Sequence, residues 1–285
     1  MQINKKITLL ILFLFVMLSI VLAVYLKFRI NQNQIYFENL KKQQEQIVKT
    51  ALSTKANVAK TLVFDYTYWD EVVDYIEQKK DKEWENTILA TIIPTYKTNA
   101  VWVLNMNRTN IYHANNVNDS VDIALNPEKE IFDLLDKNHF IHFFKKTNHG
   151  IIEIHGATAH PSNDIERKTP PRGYFFIGQL YDTAYLRQLT ALTNCNLDIV
   201  DNDTVNPEDK SQIRTVIPLF DSFNNNISYL IFTKKYNNIE NLYKISIFYF
   251  VSLIIAVILS LILLYFSLNQ WVNKPLGEIM NSLSN

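Results

Sequence analysis

The sequence predicts an α+β domain with a long N-terminal helix and a central antiparallel sheet, held between two transmembrane helices. Residues 7–26 and 245–268 are apolar runs of twenty and twenty-four residues without a charged side chain. At about 1.5 Å of rise per residue, each run is long enough to cross a hydrocarbon core of about 30 Å. Residues 27–244 are too polar for a membrane and mix helical with strand periodicity. We therefore expect them to form one water-facing domain.

The first apolar run is interpreted as a retained anchor and not as a cleaved signal peptide. Lys5 and Lys6 would suit the charged start of a signal peptide, but the run exceeds the apolar region of about 7–15 residues that such peptides have. Basic residues flank both sides of the spans almost equally, so they do not decide the orientation. We place residues 1–6 and 269–285 in the cytoplasm because two-span sensors are built in this way. The middle domain is then periplasmic or extracellular, and the protein lies in the inner (plasma) membrane.

Composition argues against several classes of function. Lys plus Arg equals Asp plus Glu at 28 each, so no net charge indicates a nucleic-acid partner. Only five glycines occur, and the sequence has no Walker loop and no Gly-x-Ser-x-Gly. The single cysteine, Cys195, cannot form an internal disulfide. We therefore expect no enzyme activity in this chain, no cofactor and no nucleic-acid binding.

The first membrane helix is expected to continue outward as a stalk over residues 27–63, which contain no Pro and no Gly. Apolar or small residues recur there at heptad-like spacing, with Gln44 as a polar exception. They form two series: Ile30, Phe37, Ala51 and Val58, and then Leu40, Ile47 and Thr54. Such a stripe can pack on its own domain, on a second copy of the chain, or on both. The stripe favours neither arrangement over the other, and a homodimer, which we predict, is compatible with it.

Helical periodicity is predicted to run on through residues 65–76, and strand alternation begins at residue 100. Strands are predicted at 100–104, 110–113, 150–155, 173–180, 197–200, 213–219 and 227–232, with hairpin turns at 105–109 and 224–226. A helix is predicted after Pro127. Asp182 and Asn194 are predicted to cap a further helix at its two ends.

The segment Asp65-Tyr66-Thr67-Tyr68-Trp69-Asp70-Glu71 resembles the Asp-aromatic-x-x-Trp-Asp-Asp motif of CHASE4 extracytoplasmic domains. Residues 101–115 and 171–189 are similar to later parts of that family, although Gln179 replaces the family's Arg. The resemblance covers most of residues 60–200. It implies a PAS/Cache-like sensory domain of the kind found in front of histidine kinases, diguanylate cyclases, phosphodiesterases and chemotaxis receptors. A transmembrane receptor for a small-molecule ligand of unknown identity is therefore expected.

Candidate ligand-binding residues lie in this motif and in two later segments. On a continuous helix, residues four apart share a face, which would give an aromatic wall with carboxylates for an amine, hydroxyl or cation. The alternative is that these aromatic residues anchor the sheet, with Asp70 capping a helix or pairing with Arg172. His160 precedes Pro161 where the family has an apolar residue, and is suspected of ligand or pH sensing. The predicted set is Asp65, Tyr66, Trp69, Asp70, His160, Arg172 and Tyr174.

Two alternatives to a signalling receptor remain open. One is a membrane-tethered binding module without signalling output. The other is a membrane-anchored metallohydrolase, in which His139 and His142 would present two nitrogens to zinc or copper on one helical face. Because no cysteine and no His-Glu-x-x-His pattern accompanies these histidines, we expect no metal site.

Residues 269–285 resemble the opening of a HAMP relay helix. Pro275 suits an early helical position, and Leu276, Ile279 and Leu283 keep the spacing of a parallel helical bundle. A second HAMP helix and an output domain would lie beyond residue 285. The chain is therefore expected to be the sensor half of a longer receptor or a natural half-receptor.

Overall fold

The computed structural model describes residues 2–77, 82–117, 125, 127–201 and 212–283. The helices are α1 (Gln2–Tyr66), α2 (Asp70–Ile76), α3 (Lys82–Trp84), α4 (Ala90–Tyr96), α5 (Lys129–Asn138), α6 (Thr183–Thr193), α7 (Asn237–Leu268) and α8 (Lys274–Leu283), with π-helical turns at Glu85–Leu89 and Asn269–Asn273. The strands are β1 (Ala100–Asn105), β2 (Asn110–Asn115), β3 (Phe140–Thr147), β4 (Gly150–Ala159), β5 (Gly173–Leu180), β6 (Asn196–Val200), β7 (Gln212–Phe220) and β8 (Asn226–Lys235). By its contacts the chain divides into a unit that holds both chain ends and a unit of residues 43–207 and 214–234.

Two helical segments of the described chain have the length and composition of membrane spans. They are Leu12–Tyr66 and Lys244–Ile279, whose most apolar windows have mean hydropathies of 2.1 and 3.0. Neither window is buried against protein. Exposed Leu, Ile, Phe and Val side chains along both windows are the surface that lipid covers in a spanning helix.

A five-stranded antiparallel sheet in the order β2-β1-β5-β4-β3 forms the centre of the other unit. Successive side chains of a strand face opposite sides, and both sides are covered. Val103 and Phe175 belong to the core shared with the end of α1, α2 and α4. Trp102 and Phe176 belong to the core shared with α5. The predicted α+β class with a long N-terminal helix and an antiparallel sheet is confirmed.

A second, three-stranded sheet in the order β6-β8-β7 departs from the single central sheet that the sequence predicts. Helix α6 separates β5 from β6, and the strands after it share a third core with Ile151 of β4. That core contains Leu189, Cys195 and Phe232, together with Val48 of α1.

The stalk stripe packs only partly on its own domain. Gln44, the polar exception, is 1% exposed, and its Nε2 donates to Cys195 Sγ at 2.6 Å and to the carbonyl of Thr193 at 3.4 Å. Ile47 and Val58, two apolar members of the stripe, are 36% and 56% exposed. The helix therefore keeps an apolar surface that its own domain does not cover.

The helix predicted through residues 65–76 is interrupted, so that prediction was wrong. Helix α1 ends at Tyr66 and α2 begins at Asp70. The hydroxyl of Thr67 donates to the carbonyl of Val63 at 2.8 Å. The amide of Trp69 donates to the carbonyl of Tyr66, three residues earlier, at 3.3 Å. Bonds of this kind tighten the last turn and end the helix. The predicted residue pairs four apart therefore do not share a helical face.

Candidate functional site

A buried polar cluster joins the break between α1 and α2 to the loop that follows β4. We call Thr67, Thr158, His160, Asp164 and Arg167 the Arg167 cluster. Arg167 Nη2 donates to Thr67 Oγ1 at 2.8 Å, and Nη1 donates to the carbonyl of Thr158 and, at 3.3 Å, to its hydroxyl. Arg167 is 4% exposed and Thr67 and Thr158 are fully buried. The Arg167 side chain thus connects Thr67, the residue after α1, to Thr158 near the end of β4.

The rings of Phe64, at the end of α1, and of Tyr68, in the motif segment, enclose the same guanidinium. Its carbon lies 4.7 Å from the ring centroid of Phe64 and 4.3 Å from that of Tyr68. Arg167 also takes a left-handed backbone conformation with φ of 51°, which costs about 1–2 kcal/mol for a residue with a side chain. The cation–π contacts and hydrogen bonds offset that cost. Sequence reasoning missed Arg167, because its partner Thr67 is a hundred residues away in the chain.

His160 lies at the centre of the cluster with no exposed surface. Its Nδ1 lies 3.3 Å from Asp164 Oδ2 and its Nε2 lies 3.0 Å from Thr158 Oγ1, while its amide donates to the carbonyl of Thr67 at 3.0 Å. Burial and the charge of Arg167 lower the pKa of His160, although Asp164 opposes this. A neutral ring that donates from Nδ1 to Asp164 and accepts at Nε2 from Thr158 satisfies all these contacts.

Asp70, the first residue of α2, connects this helix to the loop between β4 and β5. It accepts hydrogen bonds from the amide of Ser162 at 2.8 Å and from its hydroxyl at 2.6 Å. These bonds lower the pKa of Asp70. The alternative in which Asp70 pairs with Arg172 is wrong, because Arg172 Nη1 donates to Glu77 Oε1 at 3.1 Å. Asp70 therefore holds the loop, and Arg172 forms a surface ion pair.

Tyr66 stacks between two rings at the end of α1. Ring centroids are 4.6 Å from Trp69 and 5.6 Å from Phe175. Burial, followed by the neighbouring Tyr96, raises the pKa of Tyr66 to about 12. Trp69 is 39% exposed and Asp65 is exposed. Asp70 is exposed too, but its carboxylate is engaged by Ser162, so among the predicted motif residues Asp65 and Trp69 are the exposed ones outside that link.

Tyr174 lies on the opposite side of the sheet from the other predicted residues. Its neighbour Phe175 faces Tyr66, so strand alternation turns Tyr174 towards α5. Its hydroxyl donates to Asp136 Oδ1 at 2.9 Å, and burial together with Asp136 raises its pKa. The structure therefore does not bring Tyr174 into one site with Tyr66, Asp70 and His160.

A second polar cluster lies on β3 and β4. We call His142, Glu153, His155 and Tyr181 the Glu153 cluster. His142 Nε2 and His155 Nε2 lie 2.7 and 3.2 Å from Glu153 Oε1, and the Tyr181 hydroxyl donates to Glu153 Oε2 at 3.0 Å. Burial acts to raise the pKa of Glu153, but the hydrogen bonds from the two histidines outweigh it and the net shift is downward.

The helical face predicted for His139 and His142 does not exist. His139 ends α5 with φ of 60°, and His142 lies in the middle of β3. What brings His142 to a carboxylate is the pairing of β3 with β4, in which it lies opposite His155. The spacing of Glu153 and His155, which places both on the same face of one strand, was the sequence signal available for this cluster. The register of that strand with β3 was not predictable from periodicity alone.

Two clefts open on this unit. One of about 260 Å³ is lined by polar side chains that include Lys97, Asn99, Asn116, Gln179 and Asp182. The other, of about 410 Å³, lies along the β3 edge and is lined by aromatic residues and His142. None of the seven predicted ligand-binding residues lines either of these two clefts. The first cleft offers amide donors and acceptors suited to a small polar ligand.

The predicted relay residues lie in α8. Pro275 is its second residue, but α8 follows directly on the π-helical turn Asn269–Asn273, so the missing amide hydrogen falls within continuous helical backbone and not at a free helix start. Leu276 is partly buried and Ile279 is 55% exposed, whereas the side chain of Leu283 lies outside the described part. The role of these residues in a relay stays a prediction.

Comparisons with known proteins relate the chain to one domain family and to several solved structures. The family model of the CHASE4 domain matches residues 51–200. The periplasmic domain of LuxQ from Vibrio cholerae superposes with a TM-score of 0.50 at 10% identity over 70% of this chain and 99% of that chain, and a second structure of that domain has a TM-score of 0.45 at 9% identity over 69% and 100%. The ligand-binding domain of the Pseudomonas aeruginosa amino-acid chemoreceptor PctB, in complex with L-Gln, has a TM-score of 0.36 at 8% identity over 72% and 91%. Among curated protein sequences, none matches the chain significantly. The family match covers more than half of the 285 residues, and the chain belongs to the CHASE4 domain family, with a sensory domain of PAS/Cache-like fold.

Proposed function

We propose that this chain is the sensory part of a two-span receptor in the inner membrane. Its middle domain senses a small-molecule ligand or another stimulus in the periplasm and itself catalyses no reaction. The response passes through the membrane helices to a HAMP-type relay that begins at Pro275. An output domain outside this sequence, a histidine kinase or an enzyme of cyclic-di-GMP metabolism, then changes its activity. The working form is a homodimer.

The observation that carries this proposal is the continuity of α1. One helix, Gln2–Tyr66, includes the first apolar run and ends at the Arg167 cluster. There the Thr67 hydroxyl accepts from Arg167, and the next helix holds Ser162 through Asp70. A movement of the β4–β5 loop therefore acts directly on the helix that enters the membrane.

Five of the seven residues of the predicted ligand set have a part in this proposal, and they divide into two roles. Asp65 and Trp69 present a carboxylate and an exposed indole face, which suit a ligand with an amine or an apolar ring. Tyr66, Asp70 and His160 are engaged in contacts within the domain and act as coupling residues. A ligand that stabilises one packing of the loop on α1 shifts the receptor between two states, and a coupling free energy of about 1–3 kcal/mol is enough for switching.

The test is a fusion of residues 1–285 to a diguanylate cyclase output, with cyclic-di-GMP measured in cells. Asp70→Asn and Ser162→Ala each remove part of the link between α2 and the loop. We expect each to change basal output by at least about fivefold, the lower end of ordinary coupling free energies. Glu71→Gln, an exposed carboxylate at the next position in α2, is the matched control and leaves output unchanged.

A tethered binding module gives a different result. In that case Asp70→Asn and Ser162→Ala leave output at the level of the unmodified fusion. A second fusion that lacks residues 271–285 of this chain then behaves like the complete one. If the receptor proposal is correct, this second fusion loses its response to Asp70→Asn, because the relay helix is missing.

A further inference from the structure

We propose that His142, Glu153 and His155 form a binding site for a divalent transition-metal ion such as Zn²⁺. The site is distinct from the Arg167 cluster and from the predicted ligand-binding residues. It stands on the geometry of β3 and β4 and does not depend on the receptor function proposed above.

The pairing of the two strands brings the three donor groups together. In the β3–β4 register His142 lies opposite His155, and Glu153 lies on the same face as His155 because residues two apart in a strand face the same side. Both Nε2 atoms converge on Glu153 Oε1, at 2.7 and 3.2 Å. The three donor atoms all lie within 4.8 Å of one another.

These separations are close to those that a metal ion requires. A tetrahedral zinc ion at about 2.0–2.1 Å from its nitrogen and oxygen ligands holds them about 3.3 Å apart. The two imidazole rings are stacked, with centroids 4.4 Å apart and planes 22° apart, and both Nε2 atoms approach the same oxygen of Glu153. After small shifts of the side chains, a metal ion can therefore take the place of the hydrogen-bonding protons between the two histidine nitrogens and Glu153.

The surroundings hold the donors in place. Glu153 and His155 are 5% and 2% exposed, and the second carboxylate oxygen accepts a hydrogen bond from the Tyr181 hydroxyl. The rings of Phe144 and Phe140 lie 5.2 Å from His142 and 5.9 Å from His155. The outer hydrogen bond to the carboxylate is of the kind that metal-ligating carboxylates receive in known sites. The imidazoles are held by aromatic packing, and among the described residues His155 Nδ1 has no hydrogen-bond partner.

The site is also reachable. The His142 side chain is 36% exposed, and His142 lines the cleft of about 410 Å³ along β3, an edge strand. Three protein ligands leave a fourth position for water or an added ligand. Two imidazoles and one carboxylate suit zinc, copper, nickel or cobalt better than magnesium or calcium, which prefer oxygen.

Metal titration of the full chain in detergent, after removal of bound ions with a chelator, tests the proposal. We expect one Zn²⁺ per chain by calorimetry and the visible absorption of tetrahedral Co²⁺ on cobalt addition. His142→Ala, His155→Ala and Glu153→Gln each lower Zn²⁺ affinity by at least about 100-fold, and Tyr181→Phe lowers it about tenfold, as loss of an outer partner does. His149→Ala, an exposed histidine of the β3–β4 turn, is the matched control and binds as the parent does.

His142→Ala keeps the test decisive, because His142 is the most exposed of the three ligands and its loss leaves the core intact. Zn²⁺ raises the thermal midpoint of the parent protein by linkage and leaves that of His142→Ala unchanged. Substoichiometric binding of Zn²⁺, Co²⁺, Ni²⁺ and Cu²⁺ to the parent overturns the proposal. So does a folded His142→Ala protein that binds Zn²⁺ as tightly as the parent; the cluster is then a hydrogen-bond network that only stabilises the sheet.

Discussion

Arg167 is the single residue whose loss we expect to cost the sensory domain most at this site. Arg167→Met leaves the buried hydroxyls of Thr67 and Thr158 without their donor, and each such loss costs about 1–3 kcal/mol. We therefore expect a destabilisation of about 2–4 kcal/mol, measured by thermal unfolding of the full chain in detergent. Lys168→Met changes the exposed neighbouring cation and should leave the midpoint almost unchanged. Equal midpoints for the two variants would contradict the role given to Arg167.

His160 should make stability depend on pH. Its pKa is lowered in the folded domain by burial and by Arg167, whereas an unfolded histidine titrates near about 6.5. The unfolded state therefore binds the extra proton first, so stability is lost as pH falls below about 6.5 and is fully present above it. His160→Asn should flatten the fall in thermal midpoint between about pH 7.5 and 5.5, while the exposed His149→Asn keeps the parent slope. An unchanged slope in His160→Asn would show that this residue does not carry the effect.

Among the elements, β5 tolerates the least change at its first residue. A Cβ at Gly173 would lie 2.5 Å from the backbone oxygen of Leu104 on β1, whereas a Cβ at Gly277 in α8 meets nothing within 4 Å. Backbone cannot rotate away as a side chain can, so Gly173→Ala should destabilise the domain by about 1–3 kcal/mol. The thermal midpoint checks this, with Gly277→Ala as control. A midpoint within error of the parent would mean that β1 and β5 can separate locally.

Elements defined by neighbouring residues were predictable from the sequence. Asp182 and Asn194 cap α6 as expected: the carboxylate accepts from the amide of Tyr185 at 2.8 Å, and Asn194 takes a left-handed φ of 52°. The break after Tyr66 was not predictable by the same reasoning, because apolar periodicity continues across it. The link between Arg167 and Thr67 and the register of His142 with His155 depend on residues brought together only by the complete sheet.

For the whole molecule, we expect two copies of α1 to meet along their exposed apolar stripe. Ile47, Thr54 and Val58 share one helical face by their spacing, and the two apolar residues are 36% and 56% exposed. In a Cys195→Ser background, Thr54→Cys should form disulfide-linked dimers in membranes. Lys49→Cys, an exposed position on another side of the helix, should not. Equal crosslinking at both positions would indicate random collision and not a specific dimer.

The connection between β8 and α7 is a single residue long. The strand ends at Lys235 and the helix begins at Asn237, so Tyr236 alone connects them. One residue spans at most about 3.6 Å. A larger displacement of the end of β8 must therefore also displace the start of α7. Each residue inserted after Tyr236 would lengthen this tether by about 3.5 Å. If the receptor proposal is correct, a graded set of insertions there should weaken the response of the output step by step as the connection to α7 lengthens.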